Sequence, residues 1–164
     1  NRLNGETAII SVEFRLSKKL EVSLAYPALT EQLGLNPSPR DVFDKVCNVR
    51  RSKLPMPEDI PNAGSFFKNP VISKAHFERL TADFPGIVGF EFNGGVKLAA
   101  AWLIEQRGWK QKEVADVKVH QRQALVVTNP KHKTGQDILL LATAIQADIK
   151  AIFNVCLEIE PRIY

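Results

Sequence analysis

The string Pro61-Asn62-Ala63-Gly64-Ser65-Phe66-Phe67-Lys68-Asn69-Pro70 sets one hydroxyl between a glycine and two phenylalanines in a segment bounded by prolines. A serine hydroxyl can give up a proton if it is held close to its acceptor, shielded from bulk water and stabilised as charge develops. Arg50 and Lys53 precede it by fifteen and twelve residues. Two readings stay open: a proton-handling hydroxyl in a dry pocket beside an anion site, or a surface turn whose serine bonds its own backbone. A hydrolase nucleophile is a poor fit, because a G-x-S-x-G elbow needs a glycine two places after the serine and Phe67 stands there. Near the other end, Glu160 and Arg162 alternate along Leu157-Glu158-Ile159-Glu160-Pro161-Arg162 and share a strand face. That face either meets water or lines a cleft.

Composition narrows the field around these groups. The chain has 164 residues, 45% of them hydrophobic and 24% charged, enough apolar material for a folded core. Its net charge of +4 suits an anionic ligand and falls short of a dedicated nucleic-acid binder. Two cysteines without Cys-x-x-Cys spacing and three scattered histidines argue against a disulfide scaffold and a metal site. Neither G-x-G-x-x-G nor a Walker loop is present, so the usual dinucleotide cradle is not expected. With no apolar run of membrane length and no signal-peptide pattern, the expectation is a cytoplasmic protein with reduced thiols.

The elements that must position these side chains follow from periodicity. Residues 7–16 alternate, with Ala8, Ile10, Val12, Phe14 and Leu16 on one face, and predict a half-buried strand. A short run at Leu20 to Leu24 and a helix opened by Pro27 and ending near Gly34 complete a small sheet-and-helix unit. Ser38, Pro39 and Asp41 predict a capped helix over 39–53. On it, Val42, Phe43, Val46, Cys47 and Val49 form one apolar arc that also holds Arg50 and Lys53, whereas Arg51 points away. These two cations either aim along the buried side or snorkel out and complement the helix dipole.

Residues 54–72 are too rich in proline for a central element and read as an ordered loop or short edge strand. Ser73 caps a helix to about Phe84, and Gly94-Gly95 joins a short strand to a helix from Leu98 to Arg107 that Gly108 ends. Strands at Val117–Val119 and Ala124–Thr128 precede a solvated turn at residues 129–133. A helix from Gln136 to Phe153 carries the stripe Ile138, Leu141, Ala142, Ile145, Ile149 and Ile152. Val155 to Ile163 alternates as a last strand, with Val155, Leu157, Ile159 and Ile163 on one face, and Pro161 puts it at a sheet edge or at its end.

Four strings in this order carry a resemblance: the Pro61–Pro70 string, Val96-Lys97-Leu98-Ala99-Ala100 with Trp102-Leu103-Ile104, Gln123-Ala124-Leu125-Val126, and Leu157-Glu158-Ile159-Glu160-Pro161-Arg162. Over nearly the whole chain they resemble the UDP-N-acetylenolpyruvoylglucosamine reductase family, in its carboxyl-terminal, substrate-binding part. The resemblance implies a flavoenzyme of peptidoglycan precursor synthesis. It reduces the enolpyruvyl ether of UDP-N-acetylglucosamine to UDP-N-acetylmuramate, with FAD as cofactor and NADPH as reductant. It also implies that Ser65 gives the proton and that Glu160 helps stabilise the enol-like state at the substrate carboxylate. Lys53, Asn69, Lys110 and Gln123 match substrate positions, and Arg50 and Arg162 match positions near the flavin. No metal is implied.

The family's separate flavin-binding portion has no counterpart here, so the chain is not expected to turn over alone. Residues 1–35 resemble part of an insertion found in the larger subclass, and residues 36–164 the substrate-binding domain. The gating tyrosine of that subclass would lie upstream of Asn1, so Tyr26 is not its counterpart. The expected fold is α+β: a mostly antiparallel sheet covered by helices, with the Pro-rich loop and the last strand meeting at the site. Two other readings are a non-catalytic UDP-sugar or phosphate-binding module, and a weak single-strand nucleic-acid binder using Phe66, Phe67 and nearby cations.

Overall fold

The structure, a computed structural model, describes residues 9–18, 33 and 36–163. It divides between Asn48 and Val49 into two units. In the first, residues 9–16 run without strand pairing, and Ile10, Val12, Phe14 and Leu16 are exposed. This corrects the strand expected there. Alternation prepares a segment for a sheet, but a strand needs a neighbour to take its backbone N–H and C=O groups, and none of the described residues supplies one. The strand expected at Leu20 to Leu24, Tyr26, and the helix expected from Pro27 to Gly34, apart from Leu33, which is helical, lie outside the described residues.

Helix α1 (Pro39–Lys53) starts where Ser38 and Asp41 exchange hydrogen bonds: Asp41 accepts from the Ser38 N–H at 2.8 Å and the Ser38 hydroxyl accepts from the Asp41 N–H at 3.2 Å. The capping expectation holds, but the buried arc does not. No residue of α1 is buried, and Phe43 is 59% exposed. An apolar stripe is buried only if an element covers it.

In the second unit, β1 (Asn62–Ser65), β7 (Gln123–Thr128), β6 (Val117–His120) and β5 (Glu113–Val114) form an antiparallel sheet in the order β1-β7-β6-β5. A second antiparallel sheet has the order β2-β4-β3, from Val71–Ile72, Gly95–Leu98 and Gly89–Phe92. The Pro-rich segment thus supplies two short edge strands, as proline's missing N–H requires. Between β3 and β4, Asn93 and Gly94 take φ of 45° and 78° in a tight hairpin turn. The glycines therefore close a hairpin rather than leading straight into a helix.

Helix α2 (Lys74–Asp83) is capped by Ser73, and α3 (Ala100–Gln106) is followed by Gly108 at φ 70°. Leu98, expected to open α3, ends β4 instead. Helix α4 (Gly135–Phe153) opens with a capping box between Thr134 and Asp137 and closes on Asn154 at φ 53°. Its Leu141, Ala142, Ile145, Ile149 and Phe153 are buried, whereas Ile152 is 44% exposed. Phe153 takes the stripe's last place by packing against Phe84, with ring centroids 4.8 Å apart.

Both sheets share one core with α3 and α4, built around Leu98, Leu103, Ile104, Val117, Val119, Val127, Leu141, Ile145 and Phe67. After α4 the chain runs beside Phe67 and makes a single antiparallel bridge, Phe67 with Ile159, rather than the expected strand. Val155 and Leu157 are buried as the alternation requires, but Ile163 is 57% exposed, because pairing stops at Pro161, which has no N–H to donate. The architecture is α+β with antiparallel sheets, as expected. No helix among the described residues is long and apolar enough to cross a membrane.

Candidate functional site

Local chemistry fixes Ser65. Asn62 Oδ1 accepts from the Gly64 N–H at 3.0 Å, and its amide nitrogen donates to the Ile60 carbonyl at 2.8 Å, folding the chain back at the strand's start. Gly64 then adopts φ +72°, which glycine takes without steric cost. Along β1 and β7, Asn62 pairs with Thr128 and Ser65 with Val126, so β1 carries one extra residue. This bulge turns the strand and re-aims Ser65. Immediately beyond, the Phe66 N–H donates to the Leu125 carbonyl at 2.7 Å. Phe66 and Phe67 are 5% and 1% exposed and pack edge to face at 5.4 Å. Ser65 itself is exposed, so the dry pocket expected around it is not built by the described residues alone.

The Pro-rich loop and the last segment meet as expected. The Glu160 N–H donates to the Phe66 carbonyl at 2.9 Å, and the Lys68 N–H to the Glu158 carbonyl at 2.9 Å. Glu160 is therefore held opposite the residue that follows Ser65. The two acids differ in their surroundings: Glu158 is salt-bridged to Lys68, whereas the Glu160 carboxylate has no hydrogen bond or ion pair among the described residues. Both are exposed. Arg162 lies along a groove of about 420 Å³ walled by Phe66, Ile138, Leu139 and Ile163, next to the start of α4.

A second cleft, of about 240 Å³, is lined by Arg51, Lys53, Asp59, His120 and Arg122 among others. Lys53 is exposed there as an anion ligand would be, and so is Arg51, which the helical projection had turned away. Arg50 is exposed and lines neither groove, which favours the snorkelling alternative for its side chain. No residue of α1 is buried, so its apolar arc does not set which way the cations face.

Burial, and secondarily the charge of Arg122, hold the His120 pKa below its ordinary value, and its buried Nδ1 has no partner. Neutral imidazole is the favoured form there. Gln123 opens β7, paired with His120 across a two-residue turn. Ser65 pairs three residues further along the same strand, about 10 Å at ~3.3 Å per residue.

Asn69 and Lys110 have local partners. Asn69 Oδ1 accepts from the Ala100 N–H at 2.9 Å, capping α3 where Ala99 has no side chain to do so. Its amide nitrogen is left to donate. Lys110 pairs with Glu105 at 2.6 Å with 23% of its side chain exposed. A partly solvated pair of this kind is worth about 0–1 kcal/mol, so an anionic ligand can compete for the ammonium.

A family model for UDP-N-acetylenolpyruvoylglucosamine reductase, C-terminal domain, matches residues 55–164. This chain belongs to that family. The UDP-N-acetylenolpyruvoylglucosamine reductase of Burkholderia multivorans (strain ATCC 17616 / 249) is 51% identical over 164 residues, covering 96% of this chain and 47% of that protein. The reductase of Shewanella sp. (strain MR-4) is 48% identical over 162 residues, covering 98% of this chain and 48% of that protein. The chain thus spans about half the length of these curated relatives. The crystal structure of the Thermus caldophilus reductase aligns with a TM-score of 0.48 at 20% identity, over 79% of this chain and 37% of the other. The range matched by the reductase C-terminal model contains Ser65, Asn69, Lys110, Gln123, Glu160 and Arg162, while Arg50 and Lys53 lie just upstream.

Proposed function

We propose that this chain is the substrate-binding and proton-donating part of a cytoplasmic, flavin-dependent reductase of peptidoglycan precursor synthesis. The reaction converts UDP-N-acetylglucosamine enolpyruvate to UDP-N-acetylmuramate with NADPH. One observation carries the reading: a bulge at Gly64 fixes Ser65 beside two buried phenylalanines, while backbone pairing holds Glu160, with its carboxylate uncommitted, opposite Phe66. The groove beside Phe66 fits the flavin in chemistry, with apolar walls from Ile138 and Leu139 and one guanidinium from Arg162. Bound FAD, reduced by NADPH, supplies the hydride to one vinyl carbon. Arg50 is assigned the same neighbourhood on the resemblance alone.

In this scheme Ser65 Oγ gives its proton to the other vinyl carbon. An alcohol is a weak acid, so it serves only when positioned and shielded; the substrate and the part of the enzyme that covers it must complete the shielding. Glu160 sits where negative charge gathers at the substrate carboxylate, an arrangement that requires a shared proton or a nearby cation. Lys53 and Lys110 act as point charges on the diphosphate, and the amides of Asn69 and Gln123 fix orientation.

The test uses the full-length protein that carries this chain. After reduction of the flavin by NADPH without oxygen, its reoxidation by the enolpyruvyl UDP-sugar is followed. Ser65→Ala is expected to slow that step by about 10²-fold or more while substrate binding persists. Equal rates would remove Ser65 as the acid. Binding of the UDP-sugar with no reoxidation in either protein would favour a non-catalytic binding module.

A further inference from the structure

The turn between β6 and β7 does more than connect two strands. His120 pairs with Gln123, leaving Gln121 and Arg122 at the tip, and Arg122 Nη1 donates to the Ser52 carbonyl at 2.9 Å. That carbonyl lies in the last turn of α1, where C=O groups lack intrahelical partners and the helix dipole is negative. A guanidinium there satisfies an orphan acceptor with a charge-assisted bond. No residue of α1 is buried, so little packing holds its last turn in place, and helix ends fray when nothing restrains them.

The two residues that follow the partners of this bond are both candidate substrate ligands. Lys53 follows Ser52, and Gln123 follows Arg122, so one contact joins positions seventy residues apart. Arg122 and Lys53 also line the same cleft. We propose that Arg122 is a positioning residue that fixes the Lys53 ammonium in register with Gln123, so that the UDP portion of the substrate meets both at once. The inference rests on Lys53 being a substrate ligand. Arginine suits the task because its fork can spend one N–H on the helix carbonyl while its charge stays at the cleft wall.

The experiment compares wild type, Lys53→Ala, Arg122→Ala, the double variant and Arg122→Lys in the full-length enzyme. For each, KM and kcat for the enolpyruvyl UDP-sugar and the melting temperature are measured. Lys53→Ala and Arg122→Ala are each expected to raise KM about tenfold with kcat changed by less than about twofold. The double variant should be no worse than the poorer single one, because Arg122 has nothing left to position. Arg122→Lys, which can still donate to the Ser52 carbonyl, should recover most of the loss. A merely structural role would instead lower stability and impair Lys53→Ala further.

An unchanged KM in Arg122→Ala beside a raised one in Lys53→Ala would overturn the inference and leave the substrate reading intact. Effects that multiply in the double variant would mean Arg122 acts independently of Lys53, and would also overturn it. An unchanged KM in Lys53→Ala would remove the substrate role of Lys53, and the inference with it. Should Arg122→Ala not fold, Arg122→Gln is read against Lys53→Ala by the same criteria.

Discussion

Glu158 and Glu160 are near twins in sequence, and their partners separate them. Lys68 engages Glu158, a pair in which both side chains are largely solvated and whose contribution is therefore small. The Glu160 carboxylate has no partner among the described residues, and its backbone is tied to Phe66. Under the proposed function, Glu160→Gln should slow flavin reoxidation by the enolpyruvyl sugar about 10²-fold. Glu158→Gln should stay within about twofold of wild type. Single-turnover measurements on the two variants check this, and equal losses would mean the acids are not distinguished as the structure distinguishes them. The motif made Ser65 and Glu160 legible, since short strings carry residue identity. Arg122 and His120 were not legible, because nothing local in the sequence says that a turn at residue 122 reaches a helix end seventy residues earlier.

Among the elements, the β1 bulge bears most directly on the site. Gly64 has φ +72°, and a Cβ added there would meet nothing within 4 Å. The cost of Gly64→Ala is therefore one of backbone conformation, about 1–2 kcal/mol for a left-handed alanine. Denaturant unfolding should register that loss, and Ser65-dependent reoxidation should slow as well, because relaxing the bulge turns the hydroxyl away. Stability and rate both equal to wild type would contradict this account of how Ser65 is aimed. Helix caps at Ser38 and Ser73 were readable in advance, as capping depends on residues within three positions of one another. The β5–β6 turn was not, since Ala115 and Asp116 adopt φ of 51° and 64° without the glycine that usually signals such a turn.

At the scale of the whole molecule, acid should destabilise the fold in two stages. His120 is held below its ordinary value of 6.5 by burial and by Arg122, so the unfolded chain takes up its proton first and stability begins to slip below about pH 6.5. For Asp148, burial pushes the carboxyl up, but hydrogen bonds from Arg107 and Trp109 outweigh it and leave the group below 3.8. Asp116 is lowered to about 2 by hydrogen bonds from Lys131 and Lys133. Stability from these carboxylates is complete above 3.8 and is lost as pH falls toward their folded values. A melting series should therefore show a shallow decline below about pH 6.5 and a steep one below about pH 4, with Asp148→Asn flattening the steep limb. A flat profile through the acid range would refute these assignments.

By itself, the sequence determined the α+β class, the helices capped at Ser38 and Ser73, the strand runs at Val117–Val119 and Ala124–Thr128 and the Ser65 and Glu160 strings, because each depends on neighbours a few residues apart. Only the tertiary structure decided the rest. Residues 9–16 alternate without pairing, α1 fully buries none of its apolar arc, and Ile159 pairs at a single bridge. Whether an apolar face is buried, or a strand exists at all, depends on what lies against it, and that partner is remote in sequence.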